Sequence, residues 1–193
     1  MKVNNNANLI ISSGNSRVVN NTNIITSDEM TYNTKDSILL AYGNVKMISK
    51  ISNDELLECY GTSVKYNVNN KNISFRGYNA MIKYSAMKLF KSPLVLNARE
   101  INVDINHKVL TAYDSVEAIT PFGKIYSDKA IFDKKASEVI FKKCGKRPLA
   151  NVFYNGQKGT YKADEIIFYN SDNNKKIIMN GFVVGEVEME HKQ

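Results

Sequence analysis

The strongest constraint on this chain is a strand-turn-strand pattern that returns five times along 193 residues. The first copy is Ile24-Ile25-Thr26-Ser27-Asp28-Glu29-Met30-Thr31-Tyr32-Asn33, a short polar stretch, then Ile38-Leu39-Leu40-Ala41-Tyr42-Gly43-Asn44-Val45-Lys46-Met47. The other copies run through residues 64–77, 101–116, 127–141 and 163–183. Equivalent positions are Asp28, Thr62, Arg99, Asp128 and Asp164, so successive copies begin 34, 37, 29 and 36 residues apart. Three copies keep one internal distance: Asp28 to Gly43, Thr62 to Gly77 and Arg99 to Asp114 are each 15 positions, while Asp164 to Gly181 is 17. Within each copy, apolar and polar residues alternate with period two. That period places every second side chain on one side of an extended strand and is wrong for a helix.

The alternation names a buried face. Its members are Met30, Tyr32, Leu39, Val45 and Met47 in the first copy and Val64, Tyr66, Ile73 and Phe75 in the second. Ile101, Val103, Leu110 and Val116 form the third set, and Phe132 and Phe141 the fourth. Ile166, Phe168, Met179 and Val183 form the fifth. Between the two strands of a copy, Asn33, Asn67, Asp104 and Asp133 end the first strand, and Asn and Asp favour such turn starts. Gly43, Gly77 and Gly181 lie within or at the end of second strands, where glycine marks a bulge or a close backbone approach. The expected fold is all-β: an elongated, twisted stack of antiparallel strand-turn-strand repeats. Leu9-Ile10-Ile11 and Arg17-Val18-Val19 read as two short strand-like pieces in a polar, Asn-rich segment. Residues around 145–148 and 155–159 read as loops. The expected division is an N-terminal segment 1–21, one β-domain 22–188 and a polar tail 189–193.

Composition narrows function mainly by exclusion. The net charge is +7, carried by 26 Lys and Arg against 19 Asp and Glu, and admits an anionic partner without choosing one. Much of the Lys and Asn falls in turns and on the outer face, so the charge does not require nucleic acid. Aromatic residues fall on the buried parity, and Arg, the usual reader of bases, is scarce; nucleic acid is therefore not an expected partner. Two His are present, His107 in an expected turn and His191 in the tail, and no hydrolase, phosphate-loop or zinc-protease motif occurs. No catalytic residue, metal site or cofactor is expected. The recurrence of Asp28, Asp128 and Asp164 at one repeat position points to a structural hydrogen bond. Cys59 and Cys144 lie 85 positions apart, which leaves both free thiols and a disulfide open. No apolar run approaches the ~20 residues of a membrane span. No signal peptide is visible after Met1, so either a cytoplasmic location or a targeting segment outside this chain is expected.

Residues 24–47 resemble the opening repeat of the LptA/OstA-like lipopolysaccharide-transport proteins. The family's I-x-S/A-D…Y-D/N…G-N-V pattern is matched by Ile25, Ser27, Asp28, Tyr32, Asn33, Gly43, Asn44 and Val45. Residues 125–135 and 161–170 repeat its first half, and the resemblance spans roughly residues 22–188. The chain departs from the pattern at Asp114, which replaces the repeat glycine, and in the fourth copy, which lacks a clear Gly-x-Val.

The resemblance implies a β-jellyroll and a non-enzymatic periplasmic carrier of lipopolysaccharide. Its acyl chains would lie among the inward residues named above. It also implies other transport proteins, or further copies head to tail, as partners through open sheet edges. The first repeat (24–47) and the last strand (176–188) are the expected edges, unless the flanking segments cover them. The anchored inner-membrane component and the periplasmic domain of the outer-membrane receptor share the repeat and stand as alternatives. A structural β-solenoid and a basic nucleic-acid-binding protein are the alternatives outside the family. On the residues alone, the inward face is either an ordinary core or a lipid groove.

Overall fold

A computed structural model describes residues 2–4, 8–20, 23–86, 93–120, 123–154, 157–171 and 174–188. His191, Asn173 and the tail beyond Glu188 lie outside them. The described residues form fifteen strands. The first nine are β1 (Lys2–Asn4), β2 (Leu9–Asn20), β3 (Asn23–Asn33), β4 (Ile38–Ser52), β5 (Glu55–Asn67), β6 (Asn72–Ala86), β7 (Leu94–Asp104), β8 (Val109–Thr120) and β9 (Gly123–Asp133). Then follow β10 (Glu138–Lys142), β11 (Leu149–Tyr154), β12 (Gln157–Lys162), β13 (Glu165–Ser171), β14 (Asn174–Asn180) and β15 (Val184–Glu188). From β1 to β10 each strand pairs antiparallel with the next, as hairpin formation dictates.

The expected turns form as Asx turns. The Oδ1 of Asn33 accepts the N–H groups of Lys35 and Asp36, and that of Asn67 accepts those of Asn69 and Asn70. Asp104 accepts from His107, and Asp133 from Lys135 and Ala136. Each loop then returns to extended backbone through one left-handed residue: Ser37, Lys71, Lys108 or Ser137. The repeat of polar short side chain plus one left-handed residue fixes loop length, and loop length fixes register.

A crease runs across the long strands. The pairing register shifts between Ser13 and Ser16, Thr26 and Glu29, Tyr42 and Val45, Tyr60 and Ser63, Arg76 and Ala80, Asn97 and Glu100, and Tyr113 and Val116. These irregularities fall at the same height on successive strands. A bulge bends its strand, so an aligned row of bulges folds the sheet. Each long strand thereby contributes one half to each of two leaves. The first leaf holds the halves next to the Asx turns; the second holds the opposite halves. At β9 the leaves part. Residues 129–133 pair with β10, which leads to β13 and β14, while residues 123–126 pair with β11, which leads to β12 and β15. The result is an all-β, jellyroll-like folded sheet with its core between the leaves.

Three expectations change here. Leu9–Asn20 is one bulged strand paired with β3, not two separate pieces, so the first repeat is not an open edge. Among the described residues, the free strands are β1 and the second half of β2 at one end, and β14 and β15 at the other. Residues 144–146 do form a bend, but of the expected loop 155–159, residues 157–159 open strand β12 (155 and 156 lie outside the described residues), which pairs with β11 and β15.

Candidate binding site between the leaves

Two unbroken rows of inward side chains cross the first leaf. One runs Met30, Ala41, Val64, Phe75, Ile101, Ala112, Ala130, Phe141, Ile166, Met179, each the cross-strand partner of the next. The other runs Tyr32, Leu39, Tyr66, Ile73, Val103, Leu110, Phe132, Val139, Phe168, Ile177. At a strand spacing of about 4.8 Å, ten strands make an apolar track about 43 Å long. The second leaf answers with Ile25, Met47, Cys59, Ile82, Leu96, Ala118, Ile125 and Ala150. All of these second-leaf residues are buried in the same cluster.

Sixteen of the nineteen inward residues named from the sequence are buried between the leaves. Tyr32 and Met179 are half-buried and pack against the cluster near its ends. Val183 is not inward: it is 45% exposed. The chain turns at Gly181, with a φ of +80°, and leaves β14 for β15 on the other leaf. The parity of the fifth copy therefore ends at Asn180.

Most of the second leaf was not legible as interior. Leu57, Cys59, Ile82, Tyr84, Leu94, Leu96 and Ile125 are buried, yet belong to no copy of the repeat as read. The signal is present in the sequence as alternation out of phase with the copies. A single-residue bulge reverses the inward parity, as from Leu57 and Cys59 to Val64 and Tyr66.

Between the leaves lies a cavity of ≈ 170 Å³. Met47, Leu57 and Tyr84 line it from the second leaf, and Ile105, Leu110 and Phe132 from the first. The rings of Tyr84 and Phe132 meet across the gap, 5.4 Å apart and tilted by 49°. Lys134, in a first-leaf turn, pairs with Glu55 at the start of β5, joining the free margins of the two leaves. Lys108, Lys134 and Asp104 stand among the residues lining the cavity. Burial, reinforced by the adjacent Glu55 carboxylate, pushes the Tyr84 phenol up to about 12. Tyr84 is thus neutral across the physiological range and adds no charge to the cavity wall.

At the opposite side of the interior, the crease is held by recurring carboxylates. Asp28 accepts from the Asn44 side chain at 2.9 Å, Asp128 from the Lys146 N–H at 2.8 Å, and Asp164 from the Phe182 N–H at 2.9 Å. A glycine lies under each: a Cβ on Gly43 would come within 2.3 Å of Asp28, one on Gly145 within 3.2 Å of Asp128, and one on Gly181 within 2.5 Å of Asp164. The fourth copy, which lacks a clear Gly-x-Val, nevertheless has a glycine at the equivalent place in Gly145, 17 positions after Asp128 as Gly181 follows Asp164. Asp114, standing where the repeat has glycine, adopts the left-handed φ of +61° and pairs with Arg99 at 3.3 Å.

Among the described residues, no three His, Cys, Asp or Glu side chains converge as a metal site. His107 is an exposed turn residue 2.7 Å from Asp104. Both cysteines are free, Cys59 buried and Cys144 exposed. Burial, with a smaller contribution from Glu58, drives the Cys59 thiol far above its ordinary range, so it is not a nucleophile at neutral pH.

The fold has a known counterpart. LptH, the LptA-homologous periplasmic component of the lipopolysaccharide transport device of Pseudomonas aeruginosa, superposes with a TM-score of 0.52 over 76% of this chain and 94% of its own, at 12% identity. The likeness is one of fold. No family model matches the sequence, and no curated protein matches it.

Proposed function

We propose that this protein is a non-enzymatic carrier of lipopolysaccharide in the periplasm, holding acyl chains between its two leaves. The observation that carries the reading is the apolar cavity between the leaves, opening at a lysine-bearing margin on a fold shared with LptH. The physical demand fits. Each methylene exposed to water costs about 0.8 kcal/mol, so a lipid of several chains crosses water only inside a continuous apolar track. Lys108 and Lys134 would meet the phosphates of the headgroup at the margin.

The cavity as it stands has the size of sites that hold a benzene-sized group. Taking up a whole acyl chain therefore requires the leaves to part. They are continuous through the crease from β2 to β9 and separate beyond it, so the crease is the hinge and the Glu55–Lys134 margin is the side that opens. Exposed apolar residues on the free strands, Val19 on β2 and Val184 on β15, support end-to-end pairing with another transport protein or another copy.

Dense packing along the rest of the interior favours one further reading, a purely structural β-sandwich. Binding measurements separate the two. The carrier binds lipopolysaccharide, loses affinity when the acyl chains are removed, and loses it again when Leu57→Lys charges the cavity wall. A structural sandwich shows no difference between acylated and deacylated forms.

A further inference from the structure

Four isoleucines stand in line on the outer side of the first leaf. Ile131, Ile140, Ile167 and Ile178 are successive cross-strand partners on β9, β10, β13 and β14. Their strand neighbours, among them Phe132, Phe141, Ile166 and Phe168, are buried between the leaves. Alternation therefore turns the isoleucines outward, where each is half-buried, and none of them belongs to the interior cluster. On the four preceding strands the same line is polar: Lys65, Ser74, Asn102, Thr111. The C-terminal part of this leaf is thus apolar on both faces, and its outer stripe is about 15 Å long.

The rows beside the stripe select what covers it. Toward the crease stand Lys129, Lys142, Glu165 and Asn180, strand by strand. Toward the turns stand Asp133, Glu138, Tyr169 and Lys176. Three lysines and three carboxylates make this patch neutral on a chain of net charge +7. A neutral apolar patch does not favour an anionic membrane. It is, however, complementary to itself. A twofold axis along the stripe lays the turn-side row of a second copy over the crease-side row of the first. Lys129 then meets Asp133 of the second copy, Lys142 meets Glu138, and the isoleucines stack on their counterparts.

We infer that this face is an isologous homodimer interface, formed by the isoleucine stripe packing on itself. Both charge pairs occur twice by symmetry. The patch, three rows by four strands, is smaller than the ~800 Å² per partner of a standard stable interface, so the dimer is a weak one. It uses a sheet face and leaves the free strands available.

The test is sedimentation velocity on the full chain from micromolar to near-millimolar concentration. The expected result is a reversible monomer–dimer equilibrium that Ile140→Lys with Ile167→Glu, opposite charges on directly paired positions, abolishes while the chain stays folded. Lys142 also pairs with Glu165 at 3.4 Å within one chain, so each charge variant is melted as well. Glu138→Lys and Lys142→Glu should each weaken the dimer by about tenfold, and the two together should restore it, since the exchanged pair re-forms. A chain that stays monomeric throughout overturns the proposal, as does a double reversal no tighter than the single ones. Association lost in Val187→Pro but kept in the isoleucine variant would assign it to the strand edges and overturn it equally. Loss of binding to anionic vesicles in the isoleucine variant, with the chain monomeric, would make a membrane the occupant instead.

Discussion

At the crease, single residues decide whether a strand can bend. Gly43 has a φ of +69° and lies against Asp28, where a Cβ would sit 2.3 Å from a carboxylate oxygen. Gly43→Ala should therefore cost about 1–3 kcal/mol, read as a lower urea midpoint at unchanged slope. Asp114 tests the same geometry from the other side. It tolerates a φ of +61° at a cost glycine does not incur, and its bond to Arg99 joins two exposed side chains and contributes little. Asp114→Gly should leave stability unchanged or raise it by up to ~1 kcal/mol.

Asp164 supplies a pH test. The Phe182 N–H first, and then Arg147, lower its carboxyl below the ordinary value, so in the folded state it binds its proton less tightly than in the unfolded chain. That stabilisation is present above the unfolded carboxylate range and is lost as pH falls through the folded value. Asp164→Asn should flatten the acid limb of a stability–pH curve and leave the slope near neutrality unchanged. The sequence announced these sites, because Asp and Gly recur at fixed spacing. It hid Gly145 only because the fourth copy breaks its second strand early, so the glycine falls in the bend after β10 instead of inside a strand.

Among the elements, the hairpins were legible and the fold between leaves was not. Alternation and Asx turns depend on neighbours in sequence, so Asn33, Asn67, Asp104 and Asp133 mark their strand ends directly. The crease depends on seven bulges lining up across strands, a long-range fact that each strand records only as a parity slip. Reading one parity per copy found Phe75 and Phe132 and missed Leu57, Ile82 and Tyr84. The β11–β12–β15 branch was missed because its strands are short and two of its pairings, β11 with β9 and β12 with β15, join segments distant in sequence.

The packing has measurable consequences at this scale. Phe141, fully buried, should cost about 3–5 kcal/mol as Phe141→Ala, whereas Phe153→Ala, at a site 56% exposed, should change stability by no more than about 0.5 kcal/mol. Across the open margin, Lys134→Met removes the cation that joins Glu55 to the opposite leaf. The leaves should then part more readily and bind a single-chain fluorescent fatty acid more tightly than the wild type. Weaker binding would show that the pair holds a site in place instead of closing one.

For the whole molecule, a crease on one side, a margin joined by the Glu55–Lys134 pair on the other, and two leaves that separate beyond β9 describe a clamp. The +7 charge is not concentrated at either site: Lys108 and Lys134 stand at the cavity beside Asp104 and Glu55, and the outer isoleucine patch is neutral. In the proposed carrier, the apolar track and the small cavity make the interior a binding surface that opens, not only a core. Site-specific photo-crosslinking tests it most directly. With the probe in turn at Leu57, at Phe132 and, as an outward control, at Thr111, lipopolysaccharide adducts are expected at the two cavity positions and none at the control. Adducts confined to the outward position, with none at Leu57 or Phe132, would contradict it.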